Sequence, residues 1–345
     1  MSPYGAPEAR VPVALNVNEN THPIPEDVAR DIVESIAVAV LDINRYPDRE
    51  FTSLRESLAG YLGHGLTASN IWAANGSNEV IQQVLQAFGG PGRRVLGFPP
   101  TYSMHSIITR GAGTEWVESA RDADFELSPE TVVAAIEQHD PDIVFLCGPN
   151  NPTGTPLRLE TIEAACEATR GIVLVDEAYA EFMPTGQPTA LTLLDGRPRL
   201  LVSRTMSKAF AFAGARVGYL ASDPAVADAL RLVRLPYHLS SLTQAAAIAA
   251  LRHSDEMLAM VDDIKGQRDR IVATLTELGY KPWRTWSNFV LFGGIPDPQE
   301  LFDQLLERGV IVRDLHIPGH LRVSAGTERE TTAFLDALRD IRLSS

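Results

Sequence analysis

Short apolar runs that end in turn residues recur along the middle of this 345-residue chain. Three of them cover residues 143–146, 172–175 and 200–202. Continuous apolar runs of this length suit strands that are buried on both faces of a parallel sheet. Because helical stretches separate the runs, the sequence predicts an α/β fold with a mostly parallel central sheet flanked by helices.

The pattern changes at both ends of this βα region, and the length of the chain allows two domains. Helical periodicity is predicted for residues 26–41, 53–62, 242–251 and 255–278, and short strands for 289–292, 310–312 and 321–323. We therefore expect an N-terminal arm with part of a small domain in residues 1–44, a large domain in 45–240 and a smaller α+β domain in 241–345. Residues 1–15 are expected to form a flexible arm.

Charge and composition exclude several kinds of protein. The net charge is −14 and no basic run offsets it, so a nucleic-acid partner is not expected. No window reaches 18 consecutive apolar residues, which argues against a membrane span, and residues 1–10 contain no apolar signal core. Cys147 and Cys166 are too few for a disulfide framework and are interpreted as packing residues. These features predict a cytoplasmic protein.

Lys208 is the most informative single residue. The chain has only three lysines, and Lys265 and Lys281 lie in stretches typical of a solvated surface. Lys208 instead follows an apolar run and is surrounded by small, hydroxyl-bearing and apolar residues. Such a setting lowers the pKa of an amine and makes it a nucleophile that forms a Schiff base with a carbonyl. The alternative is a lysine that only caps a helix end.

Four predicted strand ends carry polar residues, and in open α/β sheets ligands bind at the carboxyl ends of strands. Ser77 and Asn78 open a helix whose backbone N–H groups suit a phosphate, although a plain helix cap has the same pattern. Asn151 lies in a Pro-Asn-Asn-Pro-Thr-Gly turn and offers an amide donor, unless the turn is only structural.

The other two strand ends contribute charges. Asp176 ends a buried strand and needs a cationic partner, either a ring nitrogen or a structural salt bridge. Arg216 follows Ala213-Gly214-Ala215, small residues that let its guanidinium approach an anion closely, and the alternative is a surface arginine. Together these groups fit one ligand with a carbonyl, a pyridinium ring and a phosphate, namely pyridoxal 5′-phosphate.

These motifs, in this order, resemble those of the fold-type I pyridoxal-phosphate aminotransferases, and most closely those of the histidinol-phosphate aminotransferases. The resemblance extends from Leu15-Asn16-Val17-Asn18-Glu19-Asn20 to Leu321-Arg322-Val323-Ser324. Between them lie Asn44-Arg45-Tyr46-Pro47, Asn75-Gly76-Ser77-Asn78-Glu79, Pro99-Pro100-Thr101-Tyr102, Pro149-Asn150-Asn151-Pro152-Thr153-Gly154, Val175-Asp176-Glu177-Ala178-Tyr179, Ser207-Lys208-Ala209-Phe210 and Ala213-Gly214-Ala215-Arg216. It departs from the family at Asn20-Thr21-His22-Pro23, where Asn-Pro-Tyr is frequent, which concerns the substrate side of the site.

The resemblance implies a seven-stranded type of sheet in the large domain and a role for each cofactor residue. Lys208 would be the Schiff-base lysine and the proton-transferring catalytic residue. Asp176 would keep the ring nitrogen protonated, Asn151 and Tyr179 would bind the ring oxygen, and Tyr102 would stack on the ring unless it is a core aromatic residue. The phosphate region would be formed by Ser77, Asn78, Thr205, Ser207 and Arg216. Tyr46 would reach the phosphate of the neighbouring subunit's cofactor, which implies a homodimer.

The resemblance also implies a reaction and a substrate site. Glutamate would donate its amine and leave as 2-oxoglutarate, and imidazole-acetol phosphate would become histidinol phosphate, reversibly and as a step of histidine biosynthesis. Arg322 would bind the anionic group of the substrate, unless it is a surface arginine on an edge strand. The other predicted substrate contacts are Asn18, Asn78, Tyr237, Arg313 and Tyr4, of which Tyr237 is alternatively a core residue. An aromatic amino-acid aminotransferase of the same subgroup is the alternative function; a lyase on the same fold and a catalytically silent cofactor-binding regulator are more distant ones.

Overall fold

The computed structural model describes residue 5 and residues 9–344, without the side chain of the last of these. The strands are β1 Val13–Ala14, β2 Ile71–Ala74, β3 Arg94–Gly97, β4 Glu115–Glu118, β5 Ile143–Cys147, β6 Ile172–Asp176, β7 Leu200–Thr205, β8 Gly218–Ala221, β9 Lys281–Pro282, β10 Phe289–Gly293, β11 Val310–Ile311 and β12 Leu321–Ser324. The helices are α1 Glu26–Leu41, α2 Thr52–Leu62, α3 Ser77–Phe88, α4 Ser103–Gly111, α5 Pro129–His139, α6 Leu159–Ala168, α7 Pro224–Val233, α8 Ser241–Arg252, α9 Ser254–Glu277, α10 Pro298–Glu307 and α11 Glu328–Ser344.

The central sheet has seven strands in the order β2-β8-β7-β6-β5-β3-β4. Strand β8 pairs antiparallel with both of its neighbours, and the other pairings are parallel. The strands β5 to β8 are almost fully buried and mostly apolar, with polar residues at the carboxyl ends of β6 and β7, as expected for a sheet covered on both faces. The predicted fold class, α/β with a mostly parallel sheet flanked by helices, is confirmed.

Two helices show how the local sequence favours a start. Ser128 caps α5, its hydroxyl accepting a hydrogen bond from the Thr131 amide at 3.2 Å, and Pro129 occupies the first helical position. Helix α3 begins directly after Gly76, whose φ of 86° lies in the left-handed region that glycine tolerates. As a result, the strand β2 turns sharply into α3 at the carboxyl edge of the sheet.

A second, three-stranded antiparallel sheet has the order β12-β10-β9. It follows α8 and α9 in the chain, as the predicted α+β domain requires, whereas the domain boundaries themselves remain a prediction. The prediction that residues 1–15 form a flexible arm is wrong in part. Val13–Ala14 forms β1, which pairs in parallel with β11, and Leu15, the next residue, is buried in the core.

Candidate active site

A cleft opens at the carboxyl edge of the seven-stranded sheet, where β2, β3, β5, β6 and β7 all end. Its empty volume is about 950 Å³, including its mouth. The predicted residues that line it are Asn18, Ser77, Asn78, Tyr102, Asn151, Asp176, Tyr179, Thr205, Ser207, Lys208, Arg216, Arg313 and Arg322. Because parallel strands end at the same edge, residues far apart in sequence meet here.

One end of the cleft is built for an anion. Ser77 and Asn78 begin α3, whose first amides point away from the helix and carry its positive dipole end. A side chain on Gly76 would place its Cβ 2.5 Å from Nη2 of Arg216, so only glycine lets that guanidinium lie against the turn. Thr205 donates a hydrogen bond to the Ser207 hydroxyl at 3.0 Å. The first amides of α3, the hydroxyls of Thr205 and Ser207 and the Arg216 guanidinium therefore lie together at the end of the cleft that suits an anion.

The other end of the cleft holds a buried acid. The Asp176 carboxylate has one oxygen 3.0 Å from Nε2 of His105 and accepts a hydrogen bond from the Ala178 amide with the other. Both Asp176 and His105 are almost fully buried. Without His105, one carboxylate oxygen of Asp176 would be buried without this polar contact, which costs free energy.

His105, the partner of Asp176, is a residue that the sequence interpretation did not single out. Its only sequence signal is its position, three residues after Tyr102 at the start of a helix, which brings the two side chains close together. The rings meet edge to face, with centroids 5.4 Å apart. Tyr102 lies at the N-terminal cap of α4, so this helix places Tyr102 at the cleft and His105 against the Asp176 carboxylate behind it.

Between the two ends, amide side chains surround the phenol of Tyr179. Asn18 and Asn151 each donate a hydrogen bond to the Tyr179 hydroxyl oxygen, at 3.0 and 3.2 Å. Because both amides donate to the Tyr179 oxygen, the hydroxyl hydrogen of Tyr179 remains available to donate to an acceptor in the cleft. Burial raises the pKa of Tyr179, so the phenol stays protonated at neutral pH.

Arg322 belongs to the same network. Its Nη1 donates to the Asn151 side-chain oxygen at 2.7 Å and its Nη2 to the Asn16 carbonyl at 3.1 Å, and its guanidinium lies over the Phe289 ring. These contacts fix a buried guanidinium at the cleft wall. The predicted surface alternative does not apply, because Arg322 is only 5% exposed.

Arg313 pairs with Arg322 in an antiparallel β-bridge. Its Nη2 donates a hydrogen bond to the Gly5 carbonyl at 3.0 Å. It therefore connects the cleft to the N-terminal end of the chain. Tyr4, the neighbouring predicted substrate contact, lies outside the described residues.

Lys208 lies in the loop after β7, with its Nζ 3.3 Å from the Val17 carbonyl. Burial lowers the pKa of this amine to about 8, and the nearby cations Arg322 and Arg216 add to the effect, while Glu19 opposes it. An amine with this pKa is partly neutral at physiological pH. The property that the sequence predicted for Lys208 from its surroundings thus has a structural cause.

Two predicted residues lie away from the cleft of their own chain. Tyr46 is 80% exposed and stacks on Tyr237, with ring centroids 4.5 Å apart, and neither lines the cleft. Tyr237 is therefore not a wall of the cleft in the same subunit. It is not a core residue either, since it is 39% exposed.

Comparison with known proteins identifies relatives along the whole chain. The family model described as aminotransferase class I and II matches residues 10–338. The histidinol-phosphate aminotransferase of Paenarthrobacter aurescens is 61% identical over 98% of this chain and 92% of its own, and that of Thermobifida fusca is 54% identical with the same coverage. The histidinol-phosphate aminotransferase of Sinorhizobium meliloti, solved in complex with pyridoxal-5′-phosphate, superimposes with a TM-score of 0.87 at 26% identity, over 97% of this chain and 92% of that one.

Proposed function

The chain belongs to the class I and II aminotransferases, and within them to the histidinol-phosphate aminotransferases, and on this premise we propose that it transfers the amino group of histidinol phosphate to 2-oxoglutarate. The products are imidazole-acetol phosphate and glutamate, and the reaction is a reversible step of histidine biosynthesis. The observation that carries the proposal is the 61% identity to a histidinol-phosphate aminotransferase over nearly the full length of both chains. The relatives favour this substrate over an aromatic amino acid.

The residues of the cleft fit pyridoxal 5′-phosphate as the cofactor. A Cβ on Gly76 would lie 2.5 Å from Arg216 Nη2, and a Cβ on Gly218 would lie 2.1 Å from the Ser77 amide nitrogen. The two glycines therefore keep the N-terminus of α3 open to an anion. Ser77, Asn78, Thr205, Ser207 and Arg216 would hold the phosphate there. At the opposite end, Asp176 would meet the ring nitrogen, while Asn151 and Tyr179 would meet the ring oxygen, and Tyr102 would cover one ring face.

When bound, the cofactor supplies a conjugated ring that delocalises the electron pair released at the substrate carbon. The Asp176 carboxylate would support this chemistry by holding a proton on the ring nitrogen, and His105 orients that carboxylate through its Nε2 contact at 3.0 Å. A carboxylate in a buried place is costly unless polar groups such as this imidazole contact it.

Lys208 holds and moves the proton. With a pKa lowered to about 8, its Nζ accepts a proton from the substrate carbon and releases it again with little energetic penalty in either direction near neutral pH. The Val17 carbonyl at 3.3 Å is an acceptor that holds the amine within the cleft.

Arg322 binds the anionic end of either substrate. Histidinol phosphate carries a phosphate-bearing methylene where glutamate carries its α-carboxylate, and a planar guanidinium suits both anions. Asn151 and Asn16 orient the guanidinium of Arg322, and Arg313 and Asn18 line the same cleft.

The imidazole end of the substrate would meet Asn78 and Tyr102. Among the described residues, the side-chain oxygen of Asn78 is buried without a hydrogen-bond partner. A buried acceptor of this kind is costly unless a ligand donates to it, and an imidazole N–H is such a donor. Tyr102 supplies the flat aromatic surface beside it.

A homodimer would complete the site. The described large apolar side chains that are exposed belong, apart from Leu343, to two stretches of the chain, and the members are Val33, Val38, Val40, Leu41, Ile43, Tyr46, Leu232, Leu235 and Tyr237. The Tyr46–Tyr237 stack joins the two stretches. An apolar surface of this kind is typical of a subunit interface, and twofold dimers are the commonest assemblies. Tyr46 would then reach the cofactor phosphate of the partner subunit, and Tyr237 would face the partner's cleft.

Within the described part of the chain, no helix is both long and apolar enough to cross a membrane. We place the enzyme in the cytoplasm, where the small anionic substrates of amino-acid biosynthesis are available.

The proposed function is tested by comparing kcat/KM for histidinol phosphate and for phenylalanine, with 2-oxoglutarate as the acceptor. Histidinol phosphate should be strongly preferred, and histidinol without its phosphate should be a poor substrate. Equal or better conversion of phenylalanine would replace the proposal by the aromatic aminotransferase function.

A further inference from the structure

Residues 15–22, called here the linking segment, connect the loop that carries Lys208 with the small three-stranded sheet. On the side of that sheet, the Ser324 amide donates to the Leu15 carbonyl at 2.9 Å, and the Asn18 amide donates to the Ser324 hydroxyl at 3.0 Å. Asn288 adds a hydrogen bond from its side-chain amide to the Asn18 carbonyl at 3.1 Å. These contacts fix the linking segment to β10 and β12.

On its other side, the linking segment contacts Lys208 and the residue after it. The Val17 carbonyl accepts a hydrogen bond from Lys208 Nζ, and Asn20 donates one from its side-chain amide to the Ala209 carbonyl at 3.2 Å. Asn20 is only 9% exposed and Ala209 is fully buried. A buried carbonyl needs a donor, so this contact is favoured over exposure of either group to water.

The orientation of the Asn20 amide is determined by its second contact. Its side-chain oxygen accepts a hydrogen bond from the His22 amide at 3.0 Å, which leaves the NH₂ group to face Ala209. The next residue, Thr21, donates to Glu330 at the start of α11. Asn20 is therefore held by contacts outside the Lys208 loop, through His22 and through the neighbouring Thr21.

We propose that Asn20 is a positioning residue for Lys208: its side-chain amide fixes the Ala209 peptide and thereby holds the Lys208 amine in its place against the Val17 carbonyl. This inference rests on the proposed function, in which Lys208 is the reacting amine. The carbonyl of Ala209 lies one peptide unit beyond Lys208, so a shift of that unit would displace the backbone that carries the Lys208 side chain.

The position of the Lys208 amine in the cleft matters because the charged groups around it act over short distances. Arg322 and Arg216 disfavour its protonation and Glu19 favours it. If the amine moves toward water, both desolvation and the repulsion from the two arginines weaken, and its protonation should approach that of an ordinary lysine. The linking segment would thus keep the amine reactive.

The test measures the protonation of Lys208 directly. The cofactor-free full-length protein is treated with a small amine-modifying reagent over a range of pH, and the modification rate of each lysine peptide is followed by mass spectrometry. Since the chain has only three lysines, Lys265 and Lys281 serve as internal standards. Asn20→Ala should raise the midpoint for Lys208 by about half a pH unit or more and leave the other two unchanged.

A second readout and a matched control complete the design. In the loaded enzyme, Asn20→Ala should lower kcat about two- to tenfold, the range that corresponds to one hydrogen bond, with KM for histidinol phosphate unchanged because Arg322 is intact. Asn70→Ala removes a comparable amide-to-carbonyl bond, from Asn70 to Ser222 at 3.1 Å, far from the cleft and should change neither value.

If Asn20→Ala fails to fold, Asn20→Ser replaces it, because a serine hydroxyl can still accept from the His22 amide but is too short to reach Ala209. An unchanged Lys208 midpoint in a folded Asn20 variant overturns the inference. Failure of the wild type to convert histidinol phosphate would overturn the proposed function instead, and the modification experiment would still decide the role of Asn20.

Discussion

His105 Nε2 lies 3.0 Å from an Asp176 carboxylate oxygen, and both side chains are buried. The contact joins the N-terminal end of α4 to the carboxyl end of β6, two elements separated by 71 residues in the chain. It gives the acid of the cleft a fixed partner that does not depend on solvent.

We expect His105→Ala to lower kcat about tenfold or more while the cofactor still binds, because the phosphate end of the cleft is unaffected and a hydrogen bond to a buried charge is lost. The measurement is the rate of the single-turnover half-reaction with histidinol phosphate. His64→Ala, at an exposed histidine, is the control. Wild-type kcat in His105→Ala would show that the contact has no role in the reaction.

Asp176→Asn should retain the shape of the side chain but lose its charge. We expect the half-reaction to slow by about 10²- to 10³-fold with the cofactor still bound, since a fixed charge at the reacting group is among the largest contributions to catalysis. Absorbance spectra establish binding and stopped-flow kinetics establish the rate. A rate within a few-fold of the wild type would reject the role of Asp176.

The lowered pKa of Lys208 predicts a pH-dependent stability. The pKa of the folded protein is about 8 and that of an unperturbed lysine is 10.5, so between these values the unfolded chain binds more protons than the folded one. The stability of the cofactor-free wild type relative to Lys208→Met should therefore rise as the pH increases from about 8 to 10.5. Paired urea titrations at several pH values measure this difference, and a flat difference would contradict it.

Arg322→Ala should weaken the use of histidinol phosphate more than that of histidinol, because the variant loses the guanidinium that the phosphate would bind. In the wild type, histidinol should be the poorer substrate. The measurement is kcat/KM for both compounds in both proteins. If the variant lowers the two values by the same factor, Arg322 does not act on the phosphate.

A site shared between subunits predicts complementation. Tyr46→Ala and Lys208→Ala are each expected to have low activity, and mixing them with exchange of subunits should restore part of it, because one of the two sites in a mixed dimer would contain both Tyr46 and Lys208. The measurement is activity as a function of mixing ratio. No gain above the sum of the separate proteins would place the action of Tyr46 within its own chain.

The sequence alone predicted the helices and strands that carry strong periodicity. The apolar runs before Cys147 and Asp176 became buried parallel strands, because a strand covered on both faces must be apolar along its whole length. The strand β4, Glu115–Glu118, was not predicted, since it lies at the edge of the sheet and its sequence is not a continuous apolar run. Nor did the pattern indicate that β8 runs antiparallel, because the direction of a strand is set by its connections rather than by its composition.

The sequence by itself determined which side chains end the strands, and therefore that Ser77, Asn151, Asp176 and Lys208 would meet at one edge of a parallel sheet. Only the tertiary structure decided the contacts between elements: His105 on Asp176, Asn151 on Arg322, and Asn20 on Ala209. It also placed Tyr46 and Tyr237 on the surface, away from the cleft of their own chain. The physical reason is that periodicity and turn chemistry are local properties of the sequence and indicate which side chains are buried. A hydrogen bond between two residues that are separated by 71 or by 189 positions in the chain depends instead on how the packed elements lie in space.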